Sequence, residues 1–317
     1  MPSDMSKNAK GAELHVSVLK NEVLEQMNIG EGSVVADLTL GAGGHSEDIL
    51  KVIGESGKLL GIDRDNTILE KTRKRLAKYS NVDIVCDEFE NFCKIAEGKK
   101  YSEFDAILLD LGLSSWQIDN NDRGFSYLTD SVLDMRMSNE GQMASDILNE
   151  YTEEELNKIF RNYGDVKRSK TFVKKIASFR RAKSFKYVSD LLSVVDDFAL
   201  YHEQKRNIKG RIWQALRIEV NREYVQLHEV LKCSISMLKE GGRLCVISFH
   251  SGEDKIVKNY FVEESKECVC PKEFPKCVCE KKASIKIITK KPIVPKKEEV
   301  GTNIRSHSAK LRVAEKI

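Results

Sequence analysis

Long apolar runs are missing from this 317-residue chain. No stretch approaches the roughly 18 apolar residues that a membrane span requires, so no membrane partner is expected. The opening M-P-S-D-M-S-K-N-A-K lacks the apolar core of a secretory signal, which leads to the expectation of a cytoplasmic protein with reduced thiols. A strong charge of one sign is missing too: with a formal net charge of +3, only the placement of charges can point to a partner. Internal repeats and low-complexity tracts are absent, which sets solenoid and fibrous architectures aside. What remains is an ordinary globular composition, 41% hydrophobic and 32% charged, long enough for two domains or for one with a large insertion.

The first hundred residues alternate strand-like and helix-like segments. Strands are predicted at 34–40, 58–62, 82–86 and 104–109, with helices from Ser46 to Ile53 and over 66–78. Apolar strands alternating with helices argue for a parallel sheet covered on both faces. From about 120 to 208 no strand pattern is visible, and T-E-E-E-L-N-K-I-F (152–160) carries a capping-box start, Thr152 three residues before Glu155. This stretch reads as a helical subdomain. Strand logic resumes after a helix predicted over 211–239 and ended by Gly241 and Gly242, with R-L-C-V-I-S-F next and two last strands at 284–288 and near the terminus. The reading is an α/β fold: a sheet domain formed by 1–119 and 209–317, with 120–208 inserted as a helical subdomain for RNA recognition.

V-V-A-D-L-T-L-G-A-G-G-H-S (34–46) is a buried strand running into a glycine turn. Glycines let backbone approach a ligand closely, and the helix that follows offers free N–H groups. The second strand ends at Asp63, 22 residues after Gly41, where a carboxylate can accept from both ribose hydroxyls of an adenosine. Dehydrogenases and methyltransferases share that geometry, and a solvated turn residue is the plain alternative. The G-A-G-G-H spacing is not G-x-G-x-x-G, which disfavours an NAD-dependent oxidoreductase. The third strand end offers Phe89 to an adenine and the fourth ends at D-L-G-L-S-S-W-Q. Four strand ends with such features at one carboxyl edge favour S-adenosylmethionine.

Residues 165–186 hold nine Lys or Arg and one acid, with Phe172, Phe179 and Phe185 interspersed, a pattern that suits an RNA-facing surface. Arg206, Lys209 and Arg211 extend the positive charge toward the sheet. The plain alternative is a solvated basic face. Four of the eight cysteines, Cys268, Cys270, Cys277 and Cys279, crowd into C-V-C-P-K-E-F-P-K-C-V-C, the thiolate count of one structural zinc. A surface loop of ordinary thiols is the alternative.

Longer motifs carry a family resemblance. H-V-S-V-L-K-N-E-V-L (15–24), T-L-G-A-G-G-H-S (39–46), G-I-D-R-D (61–65), L-L-D-L-G-L-S-S-W-Q-I-D (108–119), R-G-F-S-Y (123–127) and L-D-M-R-M (133–137) come first. Q-A-L-R-I-E-V-N (214–221), I-S-F-H-S-G-E-D-K-I-V-K (247–258) and S-A-K-L-R-V-A-E (308–315) follow. In this order they span nearly the whole chain, which resembles the ribosomal RNA small-subunit methyltransferase H family. The resemblance implies a Rossmann-like class I methyltransferase sheet. It also implies N4-methylation of a decoding-centre cytidine in 16S rRNA, with the RNA or the small ribosomal subunit as partner; a homodimer is left open. S-adenosylmethionine contacts are implied at Gly43, Gly44, His45, Asp63, Phe89, Asp110 and Gln117, those of His45 and Gln117 from the resemblance alone. The chain departs from the family at Trp116, where proline is common, at N-I-K-G-R-I-W-Q (207–214), and at Gly252, where leucine is usual.

A cytosine amino group is a poor nucleophile because its lone pair is delocalised into the ring. The site must hold it in line with the methyl group and accept its protons, work that is mostly positioning. Asp110, the L-G-L carbonyls, Ser114 and Ser115 are candidate acceptors, and His250 is a candidate proton acceptor or base contact. Trp116, Phe125 or Phe249 could stack on the base, though each is more often simply a core residue. The competing reading is a non-catalytic or retargeted RNA-binding paralogue acting in ribosome assembly.

Overall fold

Residues that are apolar in unbroken succession must be covered on both sides, and the first strands here are of that kind. In β1 (Val34–Asp37) the last three residues are buried, and in β2 (Lys58–Asp63) the four central ones are. The computed structural model describes residues 17–112, 123–138, 140–199, 205–271 and 278–317. Within them β1, β2, β3 (Val82–Cys86), β4 (Phe104–Asp110), β5 (Leu238–Ser248), β6 (Ile285–Ile287) and β7 (Lys310–Lys316) form one sheet in the order β3-β2-β1-β4-β5-β7-β6. The first five run parallel; β7 is antiparallel to both β5 and β6.

Helices cover both faces. Against one pack α1 (Lys20–Met27) and α2 (Gly44–Ile53), and Leu69 and Leu76 of α3 (Asn66–Leu76) join the same core. Against the other lie α4 (Phe92–Gly98), α10 (Glu223–Met237) and α11 (Ser251–Glu264). The helical layer comprises α5 (Ala144–Glu150), α6 (Glu153–Asn162), α7 (Ser169–Ala182), α8 (Val188–Ala199) and α9 (Lys205–Val220), around its own core of Phe160, Phe172, Phe198 and Trp213. A short α12 (Lys297–Thr302) precedes β7. No helix among the described residues is long and apolar enough to cross a membrane.

Three expectations need correction. The helix predicted over 211–239 is two helices: α9 stops at Val220, Arg222 takes a left-handed φ of 51°, and α10 starts at Glu223. Gly241 and Gly242 do not end that helix but lie inside β5, where a Cβ at Gly242 would sit 2.8 Å from Lys239 O and 3.0 Å from Phe104 O. Thiols are not reduced throughout: Cys93 of α4 and Cys233 of α10, whose packing brings their Cα atoms to 5.9 Å, are joined as a disulfide. Residue 208, the expected end of the helical insertion, falls within α9, and Ile208, Ile212 and Leu216 all pack into the helical layer's core. The capping box of α6 forms as expected, with Thr152 N–H donating to Glu155 Oε2 at 2.8 Å.

Candidate active site

The sheet register decides what meets at its carboxyl edge. Asp37 pairs in register with Gly61 on one side and Leu108 on the other, so Asp63 and Asp110 both stand two residues beyond the end of β1. The glycine turn crosses between them. Leu40 N–H donates to Ile62 O and Leu38 N–H to Leu108 O, which fixes the turn against both neighbours. Gly41 and Gly43 take left-handed φ values of 49° and 76°, and a Cβ on Gly43 would meet Thr72 Cγ2 at 2.9 Å. Glycine is required there for conformation and for space.

Asp63 is spent partly on the turn itself. Its Oδ2 accepts from Gly41 N–H at 2.7 Å and its Oδ1 from Asp65 N–H at 2.9 Å, leaving each oxygen one further lone pair. Burial raises its pKa against those hydrogen bonds. Asp37, 1% exposed, accepts from Ser46 Oγ at 2.7 Å, and burial pushes it up to about 6 despite that bond. Asp110 is pushed up to about 8, first by burial and then by the negative charges of Asp37 and Glu253. Asp110 Oδ1 is buried and has no hydrogen-bond partner among the described residues. His45, at the start of α2, brings Nε2 to 3.8 Å from Asp110 Oδ2. This edge thus gathers three carboxyls whose pKa values burial raises, around a backbone turn rich in N–H groups. Such a pocket suits a ligand carrying both a carboxylate and a cation.

The S-F-H-S-G-E-D motif closes the edge beyond β5. His250 is the N-cap of α11: its Nδ1 accepts from Glu253 N–H at 3.4 Å. Its Nε2 lies 2.9 Å from Glu253 Oε1. Glu253 accepts from Phe249 N–H at 2.9 Å. Burial works to raise its pKa, but the adjacent His250 and Arg217 outweigh it and hold the carboxyl low. Arg217 forks onto Glu223 at 2.7 and 2.9 Å. Asn221, 7% exposed, accepts from Met137 N–H at 2.9 Å and donates to Met135 O at 2.8 Å. Q-A-L-R-I-E-V-N therefore clasps L-D-M-R-M. The Arg64 guanidinium, next to Asp63, rests on the Met137 sulfur and pairs with Glu88 at 3.2 Å.

Of the expected site residues, Gly43, Gly44, His45, Asp63, Phe89 and Asp110 come to this one edge, Phe89 half-buried just past β3. Ser114, Ser115, Trp116 and Gln117 lie outside the described residues, as does Cys277. Phe249 packs on the sheet core and would touch a Cβ on Gly112 at 3.4 Å, while Phe125 packs into the helical layer. The aromatics of the basic segment are not on its surface. Phe172 and Phe185 are 0% and 2% exposed, and Phe179 packs on Phe185 with ring centroids 4.6 Å apart. Helical periodicity turns Phe172 and Phe179 inward and leaves Lys170, Lys174 and Arg181 exposed on the opposite side, while Phe185 is buried in the segment that follows the helix. Lys209 pairs with Asp196 at 2.8 Å, and Arg211 donates to Asp165 O.

Residue-by-residue reading missed Asp37, Glu253, Arg217 and Asn221. Asp37 carries a usable signal, an acid ending an apolar strand just before the glycines. The other three act through partners that a local pattern does not reveal: Asn221 through Met135 and Met137, Arg217 through Glu223 across a helix break, and Glu253 through Phe249, His250 and Arg217.

Strand order β3-β2-β1-β4-β5-β7-β6 with a reversed β7, a glycine turn after β1 and an acid ending β2 define a Rossmann-like class I methyltransferase. The chain belongs to the MraW methylase family, whose sequence profile matches residues 12–317. It is 44% identical over 305 residues to a Clostridium botulinum protein named ribosomal RNA small subunit methyltransferase H, covering 96% of this chain and 99% of that one. A Clostridioides difficile protein of the same name is 42% identical over 310 residues, with 96% and 99% covered. An rRNA methylase structure from Streptococcus thermophilus aligns over 94% of this chain and 93% of its own, at 12% identity and a TM-score of 0.43.

Proposed function

We propose that this chain uses S-adenosylmethionine to methylate N4 of a decoding-centre cytidine in the 16S RNA of the small ribosomal subunit, in the cytoplasm where subunits are assembled. The observation that carries the reading is Asp110. Its buried Oδ1 has no hydrogen-bond partner among the described residues and stands beside the glycine turn, and the relatives named above are called ribosomal RNA small subunit methyltransferases. When bound, S-adenosylmethionine supplies a methyl group already activated on a sulfonium.

The chain's own residues do the rest. The 41–44 turn and the N-terminus of α2 offer N–H groups to the cofactor's carboxylate. The spare lone pairs of Asp63 take the ribose hydroxyls and Phe89 edges the adenine. A nearby cation favours ionised Asp110, which then accepts from the cytosine amino group so that its nitrogen can pyramidalise. His250 holds the S-F-H-S loop in place as a cap. The exposed stripe of α7 takes phosphates, offsetting the few kcal/mol, roughly, needed to unstack the base.

The test is methyl transfer from labelled S-adenosylmethionine to small subunits from cells lacking the gene, followed by nucleoside mass spectrometry. N4-methylcytidine that vanishes with Asp110→Ala is expected. Cofactor binding with no methylated cytidine would sink this reading in favour of a retargeted or non-catalytic assembly factor. One observation favours that second reading: a Cβ at position 252 would fall on the Tyr224 hydroxyl, so the face beside His250 is built around tyrosine where the family usually has leucine.

A further inference from the structure

The loop between α11 and β6 takes no part in the proposed reaction, yet it is closely built. Its base is pinned: Ser284 donates from N–H to Glu264 O at 2.9 Å and from Oγ to Glu264 Oε2 at 2.7 Å. Above that base Cys268, Cys270 and Cys279 bring their sulfurs within 4.8 Å of one another. Cys268 Sγ and Cys279 Sγ are 3.8 Å apart. A tetrahedral zinc with Zn–S bonds of about 2.3 Å holds its sulfurs about 3.8 Å apart.

Backbone N–H groups add a second, independent observation. Cys270 N–H is directed at Cys268 Sγ, Val278 N–H at Cys270 Sγ and Val269 N–H at Cys279 Sγ, each at 3.4 Å. N–H groups aimed at the sulfurs would stabilise the negative charge that metal-bound thiolates carry. A divalent cation placed among three sulfurs this close would displace their protons and take them as thiolate ligands. Sulfur donors select zinc over calcium or magnesium.

We propose that Cys268, Cys270 and Cys279 bind one zinc ion that organises this loop. The site is structural. It lies past the far end of the 14-residue α11, about 20 Å along the helix from His250 at its start. Zinc there crosslinks the two sides of the loop and leaves the methyl-transfer edge untouched.

The test uses the full chain, purified under reducing conditions and incubated with zinc, with bound metal counted by mass spectrometry. About one zinc per chain is expected, falling below about a tenth of that in the Cys268→Ser/Cys279→Ser double variant. Cobalt in place of zinc should give thiolate charge-transfer absorption in the parent and none in the variant. Cooperative thermal unfolding serves as the folding check on the variant. Should it fail to fold, a chelator applied to the parent decides: stripping metal must expose newly reactive thiols. No zinc in the parent, full zinc in the double variant, or thiol reactivity unchanged by the chelator would each overturn the site.

Discussion

Two segments of this chain look like ligand surfaces in sequence, the glycine turn at 41–45 and the basic, aromatic stretch at 165–186, and the fold treats them differently. At the turn, side chain and backbone serve one another: Asp63 accepts from Gly41 N–H while Thr72 donates to Gly41 O. In α7 the two residue types part company. The phenylalanines become the core of the helical layer, and only the cations face outward. A turn's chemistry is set by the backbone path, which glycine spacing reveals. A helix's chemistry is set by its rotation, which a count of residue types conceals.

Substitutions can break that contrast, the largest effect first. Phe172→Ala should cost about 3–5 kcal/mol of stability, because a fully buried ring leaves a cavity; a melting temperature within a degree of the parent would return that ring to the surface. Asp110→Ala should lower methyl transfer by roughly 10²–10³, as removal of a single preorganised polar group does, and a single-turnover assay reads it. Asn221→Ala should cost about 2 kcal/mol, since the Met137 N–H and Met135 O it serves would be buried without a partner; chemical denaturation measures this.

A pH series sharpens the same contrast. The raised pKa values of Asp37 and Asp110, about 6 and about 8, mean that the ligand-free fold binds more protons than the unfolded chain above the ordinary value of 3.8. Stability should therefore fall as pH rises from about 4 to about 8, and Asp110→Asn should flatten the upper part of that slope. Ionisation favours a cation, so binding of S-adenosylmethionine should strengthen over the same rise relative to S-adenosylhomocysteine, whose sulfur is neutral. Calorimetry at two pH values settles this. The smallest effect belongs to the basic stripe. Lys170→Glu, Lys174→Glu and Arg181→Glu should leave stability unchanged, and each should reduce the salt dependence of RNA binding by about one counterion.

Much of the fold was legible because apolar strands and glycine turns are local signals. The predicted 82–86 strand matches β3 at both ends, and 58–62 and 104–109 fall one residue short of β2 and β4, each of which ends on its aspartate. The break at Asn221 was not legible, because nothing in the helical pattern of 211–239 announces that the Asn221 amide is needed by Met135 and Met137. At the candidate site the placing of Gly43, Gly44, Asp63, Phe89 and Asp110 on one edge was legible, because each follows a strand end or the glycine turn. Glu253 was not, since its importance comes from a histidine cap and a distant arginine.

The Asn221 clasp has a consequence for how such a protein can change. It ties the stretch just inside the helical layer to the point where the chain leaves it, and no strand of the sheet is drawn from between those points. The layer is thus a cassette with a narrow neck. Changes confined to its outer helices would leave every register of the sheet in place, so the two parts of the chain can be altered separately.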